Sequence, residues 1–247
     1  NWGFFKYNLQ MNGKQEMGTI IFVNNRMCVE CISFCTKMCH NVRKRTGRKE
    51  IDNMNKIYDK VKECYKQVNE MTEFKPQIAL VLGSGLGDYA EKIKIETVID
   101  YHEIKGFPVS TVQGHKGRFV LGYVEDIPVM IMEGRVHYYE GYSMSDVVLP
   151  IRLMKMMGAE ILFLTNASGG IHRGFEAGDF MMITDQIASF VPSPLIGPNI
   201  EEFGERFPDM SHIYDEELQE VIRKSADYLQ IDLKEGTYIQ LPGPNFE

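Results

Sequence analysis

No apolar run in this sequence of 247 residues reaches the roughly 20 residues that a membrane-spanning helix needs. Positive charge is not in excess either. With 27 Lys+Arg against 34 Asp+Glu the formal net charge is -7, which argues against a protein built to coat nucleic acid but leaves room for a local basic pocket around a phosphate. The charged, apolar and small-residue regions of a secretory signal are missing, and the cytoplasm is the expected compartment. Neither GxGxxG nor GxxxxGK[ST] is present, so dinucleotide and nucleoside-triphosphate binding are disfavoured. Beyond residue 50 cysteine is nearly absent: Cys64 stands alone there, and the other four are Cys28, Cys31, Cys35 and Cys39.

Those four cysteines belong to a stretch unlike the rest. Residues 1–50 hold nine Lys+Arg against three Asp+Glu, a balance of +6, and the remainder 18 against 31, a balance of -13. The cysteines and His40 could offer thiolate and imidazole ligands to zinc or an iron–sulfur cluster. Their spacing matches no standard pattern and no second ligand pair follows, so small apolar side chains in a short helix is the preferred reading, and no metal is expected. The chain opens on Asn1, and GRKEIDN leads to Met54. A purine-rich ribosome-binding site read in frame would encode such a run. Residues 1–53 are therefore expected to be a read-through leader and Met54 the start.

What is there, at 44% hydrophobic content, suffices for the core of one α/β domain. From Asn55 to Glu70 the recurrence of Ile57, Val61, Cys64, Tyr65 and Val68 predicts an amphipathic packing helix. Ile78 to Leu82 is an unbroken apolar run that stops in Gly83-Ser84-Gly85-Leu86-Gly87. A buried strand followed by a glycine-spaced turn brings backbone N–H groups close to a ligand, with the Ser84 hydroxyl as a further donor, which suits an anion such as phosphate. A helix is expected to start over Asp88 to Ile93. Alone, the turn is equally well a tight connection with nothing bound.

Phe119 to Val124 and Pro128 to Met132, separated by Glu125-Asp126, predict a β-hairpin. His115 precedes it, and Arg135, His137, Tyr139 and Glu140 follow it. If the extended backbone continues past Met132, its period of two sets guanidinium, imidazole and phenol on one side. Ser143 to Met157 reads as a helix capped by Ser143 or Ser145 and ended by Gly158. Ile161 to Leu164 is a second buried strand, ending in Thr165-Asn166-Ala167-Ser168-Gly169-Gly170, a second small-residue loop able to offer N–H groups to the same anion. Strands are expected over Phe180 to Ile183 and Thr237 to Leu241, a helix over Tyr214 to Leu229, and an irregular functional or interfacial loop in SFVPSPLIGPN.

In this order the loops resemble the trimeric purine nucleoside phosphorylases acting on inosine and guanosine. The motifs are GSGLG at Gly83 to Gly87, STVQGHKGR at Ser110 to Arg118, EGRVHYYEGY at Glu133 to Tyr142, TNASGG at Thr165 to Gly170, PLIGPN at Pro194 to Asn199, FGERFPDMS at Phe203 to Ser211 and GPNFE at Gly243 to Glu247. The resemblance implies an α/β fold, a three-layer α/β/α domain over 54–247 with a mixed, partly barrel-like sheet. The implied reaction is reversible phosphorolysis of 6-oxopurine ribo- and deoxyribonucleosides to free base and pentose 1-phosphate, with inorganic phosphate as co-substrate and no cofactor. A cytoplasmic homotrimer in purine salvage, without nucleic-acid or membrane partners, is implied too.

Carried over residue by residue, the resemblance places phosphate on Ser84, His115, Arg135, His137 and the backbone of Ala167, and ribose on Tyr139. Purine falls to Glu247, Phe246, Tyr238 and Ala167, with His137 and Glu247 as the catalytic pair. Phe203 matches a phenylalanine that closes a neighbouring subunit's site. A carboxylate at Glu247 would accept from N1–H of hypoxanthine or guanine and repel the N1 lone pair of adenine. The family continues beyond this glutamate with a second phosphate serine, a ribose-contacting methionine and histidine, and an asparagine for purine N7. The 247-residue chain is accordingly expected to lack the C-terminal part of the domain, to expose a sheet edge and to be inactive by itself. The alternatives are a methylthioadenosine phosphorylase and a noncatalytic nucleoside- or phosphate-binding relic.

Overall fold

The structure, a computed structural model, describes residues 17–23, 46–111 and 116–243. His115, Phe246, Glu247 and the Cys28 to His40 cluster lie outside the described residues.

The apolar runs become strands because Val, Ile, Leu and Met can be buried there on the two faces of one sheet. In chain order the elements are β1 (Met17–Val23), α1 (Thr46–Met71), β2 (Ile78–Leu82), β3 (Lys94–Asp100), β4 (Arg118–Val124), β5 (Ile127–Glu133), α2 (Met144–Val147), α3 (Leu149–Met156), β6 (Ile161–Ser168), β7 (Phe180–Ile187), α4 (Glu216–Leu229) and β8 (Leu233–Ile239). Among the described residues the sheet has eight strands in the order β3-β4-β5-β2-β6-β1-β7-β8 and does not close, leaving β3 and β8 at its edges. It is mixed. β2 runs parallel to both β5 and β6, β7 parallel to β8, and β4 antiparallel to β3 and β5.

Period two decides which residues meet which layer. Ala79, Val81, Phe119, Leu121, Met130 and Met132 join the largest core, against Val61, Cys64 and Val68 of α1 and Leu149, Leu153 and Met154 of α3. Leu82, Val120, Val129 and Ile131 point the other way and pack on Ala90. Farther along, Phe163 and Met182 meet Leu218 and Ile222 of α4. Helical layers thus cover the sheet as the α/β/α expectation requires.

Several local expectations need correction. No α-helix follows the glycine turn: Gly87–Glu91 is a single 3-10 turn, and the chain then enters β3. That strand was not foreseen, because Lys94, Ile95 and Glu96 are exposed on the sheet edge and show no apolar signature. The Ser143 to Met157 helix is two pieces, α2 capped by Ser143 and α3 opened by Pro150. β6 runs through Ser168, so Thr165 to Ser168 are strand rather than loop, paired with β1 in register Met17↔Ser168 to Val23↔Leu162. α1 starts at Thr46, ahead of Met54, since no proline interrupts that stretch. Within residues 1–53, Met17–Val23 form β1, between β6 and β7, and Thr46 onward the first turns of α1.

Candidate active site

Of three neighbouring parallel strands, β5 and β2 finish side by side, with Leu82 opposite Glu133, and β6, with Leu164 opposite Val81, runs on beside them through Ser168. The carboxyl ends of adjacent parallel strands are where an open α/β sheet collects a ligand site, since each strand stops there in a connection whose side chains converge. Here the three strands deliver the Gly83–Gly87 turn, the segment Arg135 to Tyr139, and Asn166 with Ala167.

The first of these is a β-turn, with Leu86 N–H donating to the Gly83 carbonyl at 3.2 Å. Gly85 holds φ +81° at its third position, which favours glycine, and Ser84 at its second is exposed. Gly83 is needed for another reason. A Cβ there would stand 2.7 Å from Asn166 Cα and 2.8 Å from the Thr165 carbonyl, so the turn lies directly on the end of β6. Thr165 locks the contact: its hydroxyl accepts from Gly83 N–H at 2.8 Å and donates to the Val81 carbonyl at 3.0 Å. The two small-residue segments are in contact, although the second is strand.

Arg135 reaches the same place, its Nη1 donating to the Thr165 carbonyl at 3.0 Å. Burial pulls its pKa below the usual guanidinium value, while Tyr238 and Tyr139 raise it; arginine's intrinsic basicity keeps it cationic. The extended period does not continue beyond β5, because Gly134 turns the chain with φ +102° and Tyr138–Glu140 is a 3-10 turn. Arg135, His137 and Tyr139 still gather: the His137 and Tyr139 rings stack at 4.7 Å and 16°. A tight turn has done what the alternation was expected to do.

His137 is oriented by Glu140, whose Oε1 accepts from the His137 backbone N–H at 2.6 Å and lies 2.9 Å from His137 Nδ1. The other oxygen of Glu140 accepts from Thr111 N–H at 2.6 Å and the Thr111 hydroxyl at 2.7 Å. Burial pushes the Glu140 carboxyl up, but these bonds outweigh it and bring it down to about 2. Glu140, named in the sequence only as following the hairpin, and Thr165, named only within a small-residue loop, are positioning residues whose roles were not read there; the spacing His-x-x-Glu, closing one turn on itself, was the available signal for the first. Tyr101 adds a further hold, since its hydroxyl donates to the Gly134 carbonyl at 2.9 Å.

Tyr238, half-buried on β8, packs with Met181, Ile183 and Tyr214. Burial raises its hydroxyl pKa, and Arg135 opposes the rise. Phe203 sits against its own chain, with the Arg152 guanidinium 4.7 Å from its ring centre and Tyr58 edge-on at 5.5 Å. Among the described residues no group of three or more His, Cys, Asp or Glu side chains could hold a metal ion, and no helix is long and apolar enough to cross a membrane.

Comparison with known proteins decides the family, for the sequence profile of the phosphorylase superfamily matches residues 77–247. The chain belongs to the phosphorylase superfamily. Among this phosphorylase's relatives, purine nucleoside phosphorylase 1 of Bacillus subtilis is 46% identical over 189 residues, covering 76% of the chain and 70% of that protein. Purine nucleoside phosphorylase of Mus musculus is 44% identical over 195 residues, covering 77% and 68%. In three dimensions, the Schistosoma mansoni purine nucleoside phosphorylase in complex with acetate superposes with a TM-score of 0.70 at 36% identity, over 76% of this chain and 71% of that one. The second isoform from the same organism, in complex with cytosine and ribose-1-phosphate, gives 0.71 at 39% identity, over 77% and 68%.

Proposed function

We propose that this chain is a purine nucleoside phosphorylase whose phosphate site lies where β2 and β5 end beside β6. The observation that supports it most is the contact of Gly83 with Asn166, which sets the Ser84 turn against the strand end to which Arg135 is bonded. Phosphorolysis passes through an oxocarbenium-like ribosyl group. As the bond from C1′ to purine N9 breaks and the base leaves with its electron pair, a phosphate oxygen forms the new bond to C1′. The site must fix an anion against one face of the sugar. Arg135 supplies charge-assisted bonds, Ser84 and the Ala167 backbone align the oxygens, and His137 meets phosphate with the ring nitrogen that faces away from Glu140. His115 completes the set. Tyr139, stacked on His137, is placed for the ribose.

Purine selection belongs to Glu247, with Phe246 and Tyr238 lining the base site. A carboxylate accepts from the N1–H of a 6-oxopurine and opposes a 6-aminopurine. A homotrimer without a resident cofactor fits the same reading, and the exposed Phe190, Ile196 and Phe207 support it, at 56%, 77% and 75% exposure on the irregular segment after β7.

The test is calorimetry of guanine, hypoxanthine and adenine in the presence of phosphate. Guanine and hypoxanthine are expected to bind at least about a hundredfold more tightly than adenine. Equal or tighter binding of adenine contradicts the 6-oxopurine reading and favours a methylthioadenosine-type enzyme.

A further inference from the structure

Behind the groups proposed to touch phosphate, the same strand ends carry a second set of charges. Glu133, the last residue of β5, has a side chain only 4% exposed. It accepts from Arg118 Nε at 2.6 Å and lies 3.0 Å from Lys116 Nζ. Glu91, at the end of the 3-10 turn after the glycine turn, meets the same two cations from the solvent side, at 2.5 Å from Lys116 Nζ and 3.8 Å from Arg118 Nη2. Gly87, the last glycine of the phosphate turn, lies against this cluster, for a Cβ there would stand 3.3 Å from Glu133 Oε1.

An ion cluster is a costly way to fill such a place. A buried carboxylate needs its partners to offset desolvation, and apolar residues of the same volume often serve stability as well or better. What the cluster adds is geometry. Arg118 Nε has a fixed direction in the guanidinium plane, and the two cations join three segments. One is the Gly87–Glu91 turn, one the start of β4, and one the end of β5, two residues before Arg135; the sheet already pairs the last two, with Arg118 opposite Glu133.

We infer that Glu133 is a positioning residue of the phosphate site: by holding Lys116 and Arg118 against Glu91 it fixes the spacing between the turn that carries Ser84 and the strand end that carries Arg135 and His137. This rests on the phosphate reading given above. A residue that only supported the fold would change stability without selecting for phosphate.

The test is calorimetric titration of the full chain with inorganic phosphate, paired with thermal unfolding. Glu133→Gln keeps the volume and removes the charge, and it is expected to raise the phosphate Kd by about tenfold or more, since small misplacements of aligned groups cost up to about a hundredfold. Glu133→Asp, which keeps the charge on a shorter stem, is expected to fall between the two. Leu153→Ala, a core change remote from the cluster, is expected to lower the melting temperature and leave the phosphate Kd unchanged. A Glu133→Gln chain that binds phosphate like its parent overturns the inference while leaving the phosphate site intact. If Glu133→Gln does not fold, Lys116→Met is titrated instead, and an unchanged Kd there overturns the inference equally. A parent chain that shows no phosphate binding removes both the site and the inference.

Discussion

At the scale of single residues, Glu140 is the group on which the site's geometry turns. One carboxylate takes the His137 backbone, the His137 ring and two donors of Thr111. Its folded pKa of about 2 lies below the ordinary 4.5, so the charged form is the one the fold favours. The stability it contributes is present above about pH 4.5 and is lost as the pH falls through about 2, and its size is about 3 kcal/mol. Glu140→Gln should therefore cost about 3 kcal/mol in urea unfolding at pH 7. The gap between variant and parent should narrow steadily below pH 4.5. A gap that stays constant down to pH 2 would mean that Glu140 carries no such charge-dependent bonds. The same substitution weakens the hold of residue 140 on the His137 ring and should weaken phosphate binding.

That Arg135, His137 and Tyr139 lie near one another was readable from sequence, and how they come together was not. Arg135, His137 and Tyr139 were expected together because alternate residues of an extended chain share a side. They are together because Gly134 turns the chain and Tyr138–Glu140 coils it. The role of Thr165 had no local signal at all. Its partners, Gly83 and Val81, are more than eighty residues away in sequence, and only the pairing of β2 with β6 brings them within reach.

At the scale of elements, strands buried on both faces were legible and strands at the margin were not. β2 and the β4–β5 hairpin follow directly from their apolar runs. β3 was missed because an edge strand exposes one side and one margin, leaving no continuous apolar pattern. β6 was cut short for the opposite reason. Thr165 to Ser168 are small and polar, the composition of a loop, yet their backbone pairs with β1, and pairing overrides composition. The contact of the glycine turn with β6 yields the sharpest prediction here. Gly83→Ala places a methyl group 2.7 Å from Asn166 Cα, so backbone must move. A loss of about 1–3 kcal/mol in stability is expected, with loss of phosphate binding. A Gly83→Ala chain as stable and as phosphate-competent as its parent would show that the two segments are not in contact. Between helices, α1 and α3 meet through Val61, Cys64, Leu149 and Leu153, all but fully buried, and Leu153→Ala should cost about 2–5 kcal/mol by urea unfolding.

At the scale of the whole molecule, the acidic balance of the chain is compatible with an anion site because the cations are used locally. Arg135 faces the proposed phosphate, while Lys116 and Arg118 are held by Glu91 and Glu133. Net charge therefore says little about the ligand. The family was legible in the order of seven loop motifs, and the profile match over 77–247 agrees with it. The position of β1 between β6 and β7 was not legible. Pairing partners so far away in sequence are set by the free edges the rest of the sheet offers, and no pattern within the strand itself reports them.

The most direct measurement is a calorimetric titration with inorganic phosphate of the chain and of its Arg135→Met variant. The predicted result is saturable binding at one site per chain, weakened by about a hundredfold in the variant through loss of the buried charge. Absence of saturable binding, or equal affinity in Arg135→Met, would contradict a phosphate site where β2 and β5 end beside β6.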